Sequence, residues 1–283
     1  MERKFKIYKE LQHFNVGPFK VKQPLPNSEV DGLSPFILLH HAGPTHHAPG
    51  EIKALLSPHP HRGFEPVTFL FNGSLHHKDS TGSEGFLQTG DVQWMTSGKG
   101  IIHSEGPSED FAKKGGLMEL VQLWINLPRE NKLTEPKYQD IKSEQIPVVE
   151  ENGFRTKVVA GEYRGKKGPA QTFIPIHAYM VEFEKNGKAV YEIPADHNLM
   201  VYVLEGTVVS TGTEINSLEM AVFEKSGEPL TLESKTSGKL LLLAGEPINE
   251  PVVSYGPFVM NYPGEIKQAI MDYEMGKMGE LEG

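Results

Sequence analysis

The sequence predicts an all-β chain built as two tandem barrels or sandwiches, with a short helix near its C-terminus. Three observations carry this reading. Much of the 283-residue sequence reads as short strands punctuated by glycine turns, a texture of strands rather than helices. The two halves repeat one another weakly: FLFNGSLHHKDSTG from Phe69 can be laid beside YVLEGTVVSTGTE from Tyr202. Each is a strand, an amide or acidic residue, a glycine and a second strand, as a duplicated barrel would give. After Leu127 the chain turns into PRENKLTEPKYQDIKSEQIPVVEENG, charged and carrying three prolines up to Gly153, the composition of an ordered but irregular connection. The division that follows is a first barrel over 1–132, a linker over 133–153, and a second barrel with the helix over 154–283.

The first strand signal is SPHPHRGFE, Ser57 to Glu65. Pro58 and Pro60 push their neighbours toward extended backbone. Side chains alternate in a strand, so His59 and His61 share one face. On this segment alone the pair reads equally as metal ligands or as surface histidines at a loop mouth. EPVTFLF continues it, with Val67, Phe69 and Phe71 in the same parity, before Asn72-Gly73 supplies a turn. If Gly63 leaves the strand unbroken, His59, His61, Glu65 and this apolar row all face one interior. Further strands are expected at Val92–Thr96, Leu117–Leu127, Ile174–Glu184, Leu199–Val209, Glu219–Glu224 and Lys239–Ala244. PGEIKQAIMDYEMG spaces Ile266, Ala269, Ile270 and Tyr273 at helical intervals, which predicts a short amphipathic helix with a packing role.

Composition narrows the function. The formal charge is −9, from 37 acidic and 28 basic residues, with no basic block, so direct binding to nucleic acid is disfavoured. There is no cysteine, which excludes disulfides, thiolate metal sites and cysteine nucleophiles. The amino terminus lacks the apolar core of a signal peptide. The densest apolar run, Leu240 to Ala244, is far too short for a membrane span. A soluble protein of the cytoplasm is expected, with the nucleus as the alternative in a eukaryote.

A pair of histidines needs further ligands. GKGIIHSEGP places His103 and Glu105 two apart, in the parity of Ile101, so they too share a face. Two such pairs on facing strands would close a site of three imidazoles and one carboxylate. Imidazole suits Fe, Mn, Ni, Cu and Zn, and a carboxylate favours the harder ions, so Fe(II) is the first choice, with Zn, Mn, Ni, Co or Cu as alternatives. Four protein ligands leave an octahedral ion two open positions. The carboxylate can also serve as a general base. His76 and His77, being adjacent, point to opposite faces and are read as surface or rim residues, as are His40, His41, His46 and His47. Glu65 is a fifth ligand, an acid holding an imidazole N–H, or a strand carboxylate paired with Arg62, with the last two ahead. Gln122, polar within MELVQLWINL, could reach a pocket, but a satisfied core amide is the preferred reading.

With both pairs in hand, the sequence resembles the pirin family of the cupin superfamily. The matching stretches are HPHRGFE (His59–Glu65), TGDVQWMTSGKGIIHSE (Thr89–Glu105), EPKYQDIKSEQIP (Glu135–Pro147) and LLLAGEPINEPVVSYGPFVMN (Leu241–Asn261). The resemblance implies two jelly-roll cupin barrels and one metal, usually iron, bound in the first by His59, His61, His103 and Glu105, with Glu105 rather than Glu65 as the carboxylate. In the second copy the place of HPH falls near Pro194-Ala195-Asp196-His197 with no His-x-Glu after it, which implies a barrel lacking metal ligands. Pirins resemble quercetin 2,3-dioxygenases, which open a flavonol ring with dioxygen. The resemblance therefore implies a small aromatic, flavonoid-like substrate and dioxygen as partners, and Glu105 as the catalytic base; if the strand parity holds through Gly63, Val67 and Phe69 belong to the apolar lining that receives the substrate. The alternative it implies is a non-catalytic regulatory protein whose metal oxidation state tunes binding to a transcription-related or metabolic protein partner. A metal that only staples the barrel is a third reading, against which the open coordination positions argue.

Overall fold

The computed structural model describes residues 3–9, 11–17, 19–52 and 57–281. Among these the α-helices are Glu109–Lys114 and Pro263–Glu274, and nearly everything else regular is strand. No helix among them is long and apolar enough to cross a membrane.

The chain forms two compact units, each assembled from separated segments. The first unit takes His13–Gln23, Phe36–Ser143 and Ile248–Gly283; the second takes Met1–Gln12, Pro24–Pro35 and Glu144–Pro247. The central change of unit falls between Ser143 and Glu144, and the segments that open and close the chain each belong to the unit opposite to the one expected. Pairing explains the exchange. Phe5–Tyr8 adds to the edge strand Met220–Phe223 of the second unit, covering backbone donors that an edge leaves open. The expected linker is not irregular throughout: Lys137–Ile141 pairs with Val92–Thr96, and Val148–Glu151 pairs with Phe154–Ala160.

Each unit pairs one seven-stranded sheet with one four-stranded sheet. In the first unit the large sheet runs Lys137–Ile141, Val92–Thr96, Phe64–Asn72, Gly116–Asn126, Phe36–His47, Phe19–Leu25, Gln12–Val16. Its small sheet runs His59–His61, Ile101–Pro107, Ser74–Asp79, Glu84–Gln88. The second unit repeats this order: its small sheet is Lys188–Tyr191, Leu230–Ser234, Thr207–Ser210, Thr213–Asn216. The counterpart of His59–His61 is therefore Lys188–Tyr191, not the segment around His197. Its strand and the neighbouring one bury Ala189, Tyr191, Leu230 and Leu232, so apolar packing stands where the first unit has imidazoles. The expected strand Leu199–Val209 is two, Asn198–Glu205 and Thr207–Ser210, broken at Gly206, whose φ of +86° is the left-handed backbone of a turn.

Candidate metal centre

Gly63 decides the layout of the site. Its φ is +87°, a conformation that glycine adopts without steric cost, and it ends the His59–His61 strand before Phe64–Asn72 begins in the other sheet. The parity counted through Gly63 from sequence is therefore broken. Within the small sheet the alternation holds: His61 lies opposite Ile101, His103 opposite His59 and Asp79, and Glu105 opposite His77. Residues directly opposite share a face, so His59, His61, His103 and Glu105 come to one side, together with His77 and Asp79.

On that side His59 and His103 have ring centroids 4.4 Å apart, His61 and His103 4.8 Å, and His59 and His61 5.0 Å. One donor atom from each of these three lies within 4.8 Å of the others. A second trio, His77, His103 and Glu105, meets the same limit. His59 Nδ1–H donates to Ser57 O at 3.0 Å and His61 Nδ1–H to Pro257 O at 3.4 Å. Each ring is thereby fixed with its other nitrogen bare, as a metal-ligating histidine requires. His103 is fully buried, yet neither of its ring nitrogens has a hydrogen-bond partner. Burying such groups unsatisfied is costly, and a cation between the three rings would remove the cost. The residues present fit a divalent metal.

Electrostatics keeps these rings ready. Burial pushes His61 down to about 3, helped by neighbouring His59 and opposed by the Pro257 carbonyl. Burial, then the nearby rings of His61, His59 and His77, holds His103 well below the ordinary imidazole range. Both stay neutral with lone pairs available. Glu105 is held by two amides: Gln122 donates to Oε1 at 2.5 Å and Gln93 to Oε2 at 2.8 Å. Tyr138 in turn donates to Gln93 Oε1 at 3.4 Å.

His59, His61 and Glu105 open onto a cavity of about 230 Å³. Its far wall comes from the large sheet, where Thr68 lies opposite Gln122, flanked by Leu120 and Trp124; Phe19 and Val21 close another side. Two polar atoms of this wall, Thr68 Oγ1 and Trp124 Nε1, are buried without partners. The expected lining by Val67 and Phe69 is overturned: between them Thr68 lines the cavity, because the chain enters a different sheet after Gly63. Glu65, in the odd parity, accepts from Thr96 Oγ1 at 2.7 Å and belongs to neither donor trio, which removes the fifth-ligand reading. Arg62 pairs with Asp272 at 2.9 Å instead of with Glu65. Gln122, read as a core amide, is on the cavity wall and holds the carboxylate.

Several histidines differ from expectation. His46 is exposed and His76 sits beside Glu84 at 2.7 Å, both near the surface as expected. His77 is fully buried against Asp79, and His41 is fully buried against Glu119 at 3.2 Å. His47 is buried, and His40 lines the cavity with Gln23 at 2.8 Å. His77 had a readable signal, since His77-x-Asp79 repeats the alternation that paired His59 with His61 and His103 with Glu105. Pro257 had none, because only folding brings it to His61.

The comparisons with known proteins cover nearly the whole chain. The pirin family profile matches residues 18–125, and that of the pirin C-terminal cupin domain matches 178–279. Pirin-1 of Arabidopsis thaliana is 41% identical over 254 residues, 87% of this chain and 84% of the relative. A Pseudomonas aeruginosa protein that carries the name quercetin 2,3-dioxygenase provisionally is 40% identical over 247 residues, 87% of this chain and 86% of its own. A crystal structure of quercetin 2,3-dioxygenase from Acinetobacter baumannii superposes with a TM-score of 0.93 at 41% identity, covering 100% of both chains. With both halves matched and the two-sheet units in place, the chain belongs to the pirin family of two-domain cupins.

Proposed function

We propose that this chain is a metal-dependent dioxygenase of the quercetin 2,3-dioxygenase type, acting on a flavonol-like aromatic substrate. His59, His61, His103 and Glu105 would hold one divalent ion, with Fe(II) first among those the donors suit. The observation that carries this reading is that the imidazole cluster and Glu105 open directly onto a largely apolar cavity. Relatives named as quercetin 2,3-dioxygenases support the substrate class.

When bound, the ion supplies Lewis acidity and a redox centre for dioxygen chemistry. The chain's own residues do the rest. Leu120, Phe19 and Trp124 offer apolar surface to a flat ring. Thr68 Oγ1–H and Trp124 Nε1–H, otherwise unpartnered, donate to substrate oxygens. Glu105 keeps lone pairs beyond the two taken by Gln93 and Gln122, and one of these accepts the proton of a substrate hydroxyl. The two amides fix the carboxylate's position while it does so.

The test is anaerobic reconstitution of the metal-free chain with Fe(II), followed by quercetin and oxygen, watching flavonol absorbance. Turnover is expected in the parent and a fall of about 100-fold or more in Glu105→Gln, with the thermal unfolding temperature of the metal-free chain little changed. One bound iron per chain without turnover would overturn the assignment. So would a Gln variant as active as the parent.

A further inference from the structure

The donors His77, His103 and Glu105 form a set of their own. His77 is fully buried and does not line the cavity. Its Nε2–H donates to Asp79 Oδ2 at 3.2 Å. Asp79 is held in turn through its other oxygen by Thr81 N at 2.8 Å, Thr81 Oγ1 at 2.5 Å and Ser83 N at 3.2 Å. The Tyr138 ring stacks on His77 at 4.5 Å with 12° between planes. With Nε2–H committed to Asp79, the lone pair of His77 is on Nδ1, and that buried atom has no partner. An imidazole gripped by a carboxylate through one nitrogen and bare at the other is built to take a cation. Donor atoms of His77, His103 and Glu105, one from each, lie within 4.8 Å of one another, and His103 is unpartnered at both nitrogens.

We propose that the first unit offers its ion a second seat, formed by His77, His103 and Glu105. The inference rests on reading this unit as a metal site. An ion that shifts into the second seat keeps His103 and Glu105 and exchanges His59 and His61, on the cavity wall, for His77 behind it. It is then withdrawn from the cavity. The second seat sets two imidazoles beside the carboxylate where the first sets three, so its larger share of oxygen donors favours harder ions such as Mn(II) and Fe(II). The Asp79 carboxylate strengthens this by raising the donor power of His77.

The test uses the full chain, freed of metal and titrated with Mn(II), with bound ion read from loss of the free-ion electron paramagnetic resonance signal. In His59→Ala/His61→Ala, one equivalent of Mn(II) should still bind. Adding His77→Gln, which keeps an amide donor for Asp79, should weaken that residual binding at least about tenfold. The pair His59→Gln/His61→Gln repeats the measurement with side chains that fill the space, should the alanines unfold the unit. Binding in the parent that vanishes in both double variants would overturn the second seat while leaving the metal site intact. Residual binding that ignores His77 would overturn it as well. A parent that binds no divalent ion would remove the metal reading itself, and the second seat with it.

Discussion

Glu65 shows how far one side chain's setting departs from its sequence context. In sequence it stands between the His59–His61 pair and an apolar strand, but it is 2% exposed on the face turned from the cavity. Burial pushes its carboxyl up to about 7 from 4.5, while hydrogen bonding from Thr96 and the charge of Lys137 oppose the change. The folded state therefore binds a proton that the unfolded state releases between about pH 4.5 and 7. The stability this gives is full below 4.5 and lost as the pH rises through 7. Glu65→Gln is neutral at every pH. Relative to the parent it should gain roughly 3 kcal/mol across that window, because a carboxyl that holds its proton to higher pH in the fold gives up about 1.4 kcal/mol for each pH step. Urea unfolding of both metal-free chains from pH 4 to 8.5 measures this. Curves that stay parallel would mean that Glu65 titrates alike in the folded and unfolded chains.

At the scale of elements, the turn at Gly63 joins the His59–His61 strand to everything that holds it. Gly63 N–H donates to Gly98 O at 2.9 Å, and its carbonyl accepts from the buried Lys132 ammonium at 2.8 Å. Lys132 also donates to Asn126 Oδ1 at 2.7 Å and Val259 O at 3.0 Å. Val259 N–H returns to Arg62 O at 3.0 Å. A Cβ at Gly63 would run into the Val259 carbonyl oxygen, and its φ is in the left-handed region. Gly63→Ala should thus cost about 2–3 kcal/mol and weaken metal binding, since the hairpin Val253–Tyr255, Phe258–Met260 carries the Pro257 carbonyl that fixes His61. Calorimetry and a chelator competition read the two effects; an alanine variant as stable as the parent would show that the turn relaxes freely. Alternation within a strand was legible, so His59 with His61 and His103 with Glu105 were placed on one face from sequence. Alternation across Gly63 was not, because a positive φ sends the chain into another sheet, which is why Thr68 rather than Val67 meets the cavity.

For the whole molecule, duplication was legible in the Phe69 and Tyr202 stretches, which occupy equivalent strand pairs of the two units. The exchange of termini was not. Arg62 and Asp272 are 210 positions apart, and no local pattern announces that the C-terminal helix packs Ile266 and Ala269 with Ile102, Phe258, Met260 and Met278. The helix's amphipathic spacing gave its existence and left its destination open. This topology localises the effect of the metal. Every donor atom and the carbonyl that orients His61 belong to the first unit. A ligand that binds only the folded site stabilises it by about 2.7 kcal/mol at a concentration 100 times its Kd. Adding Fe(II) anaerobically to the metal-free chain should therefore slow amide hydrogen exchange in His59–His61, Ile101–Pro107 and Phe258–Met260. Ile176–Phe183 and Gly238–Gly245, strands of the second unit, should exchange as before. Protection that rises equally in both units would contradict a site confined to the first, because a local ligand slows exchange only where opening must release it.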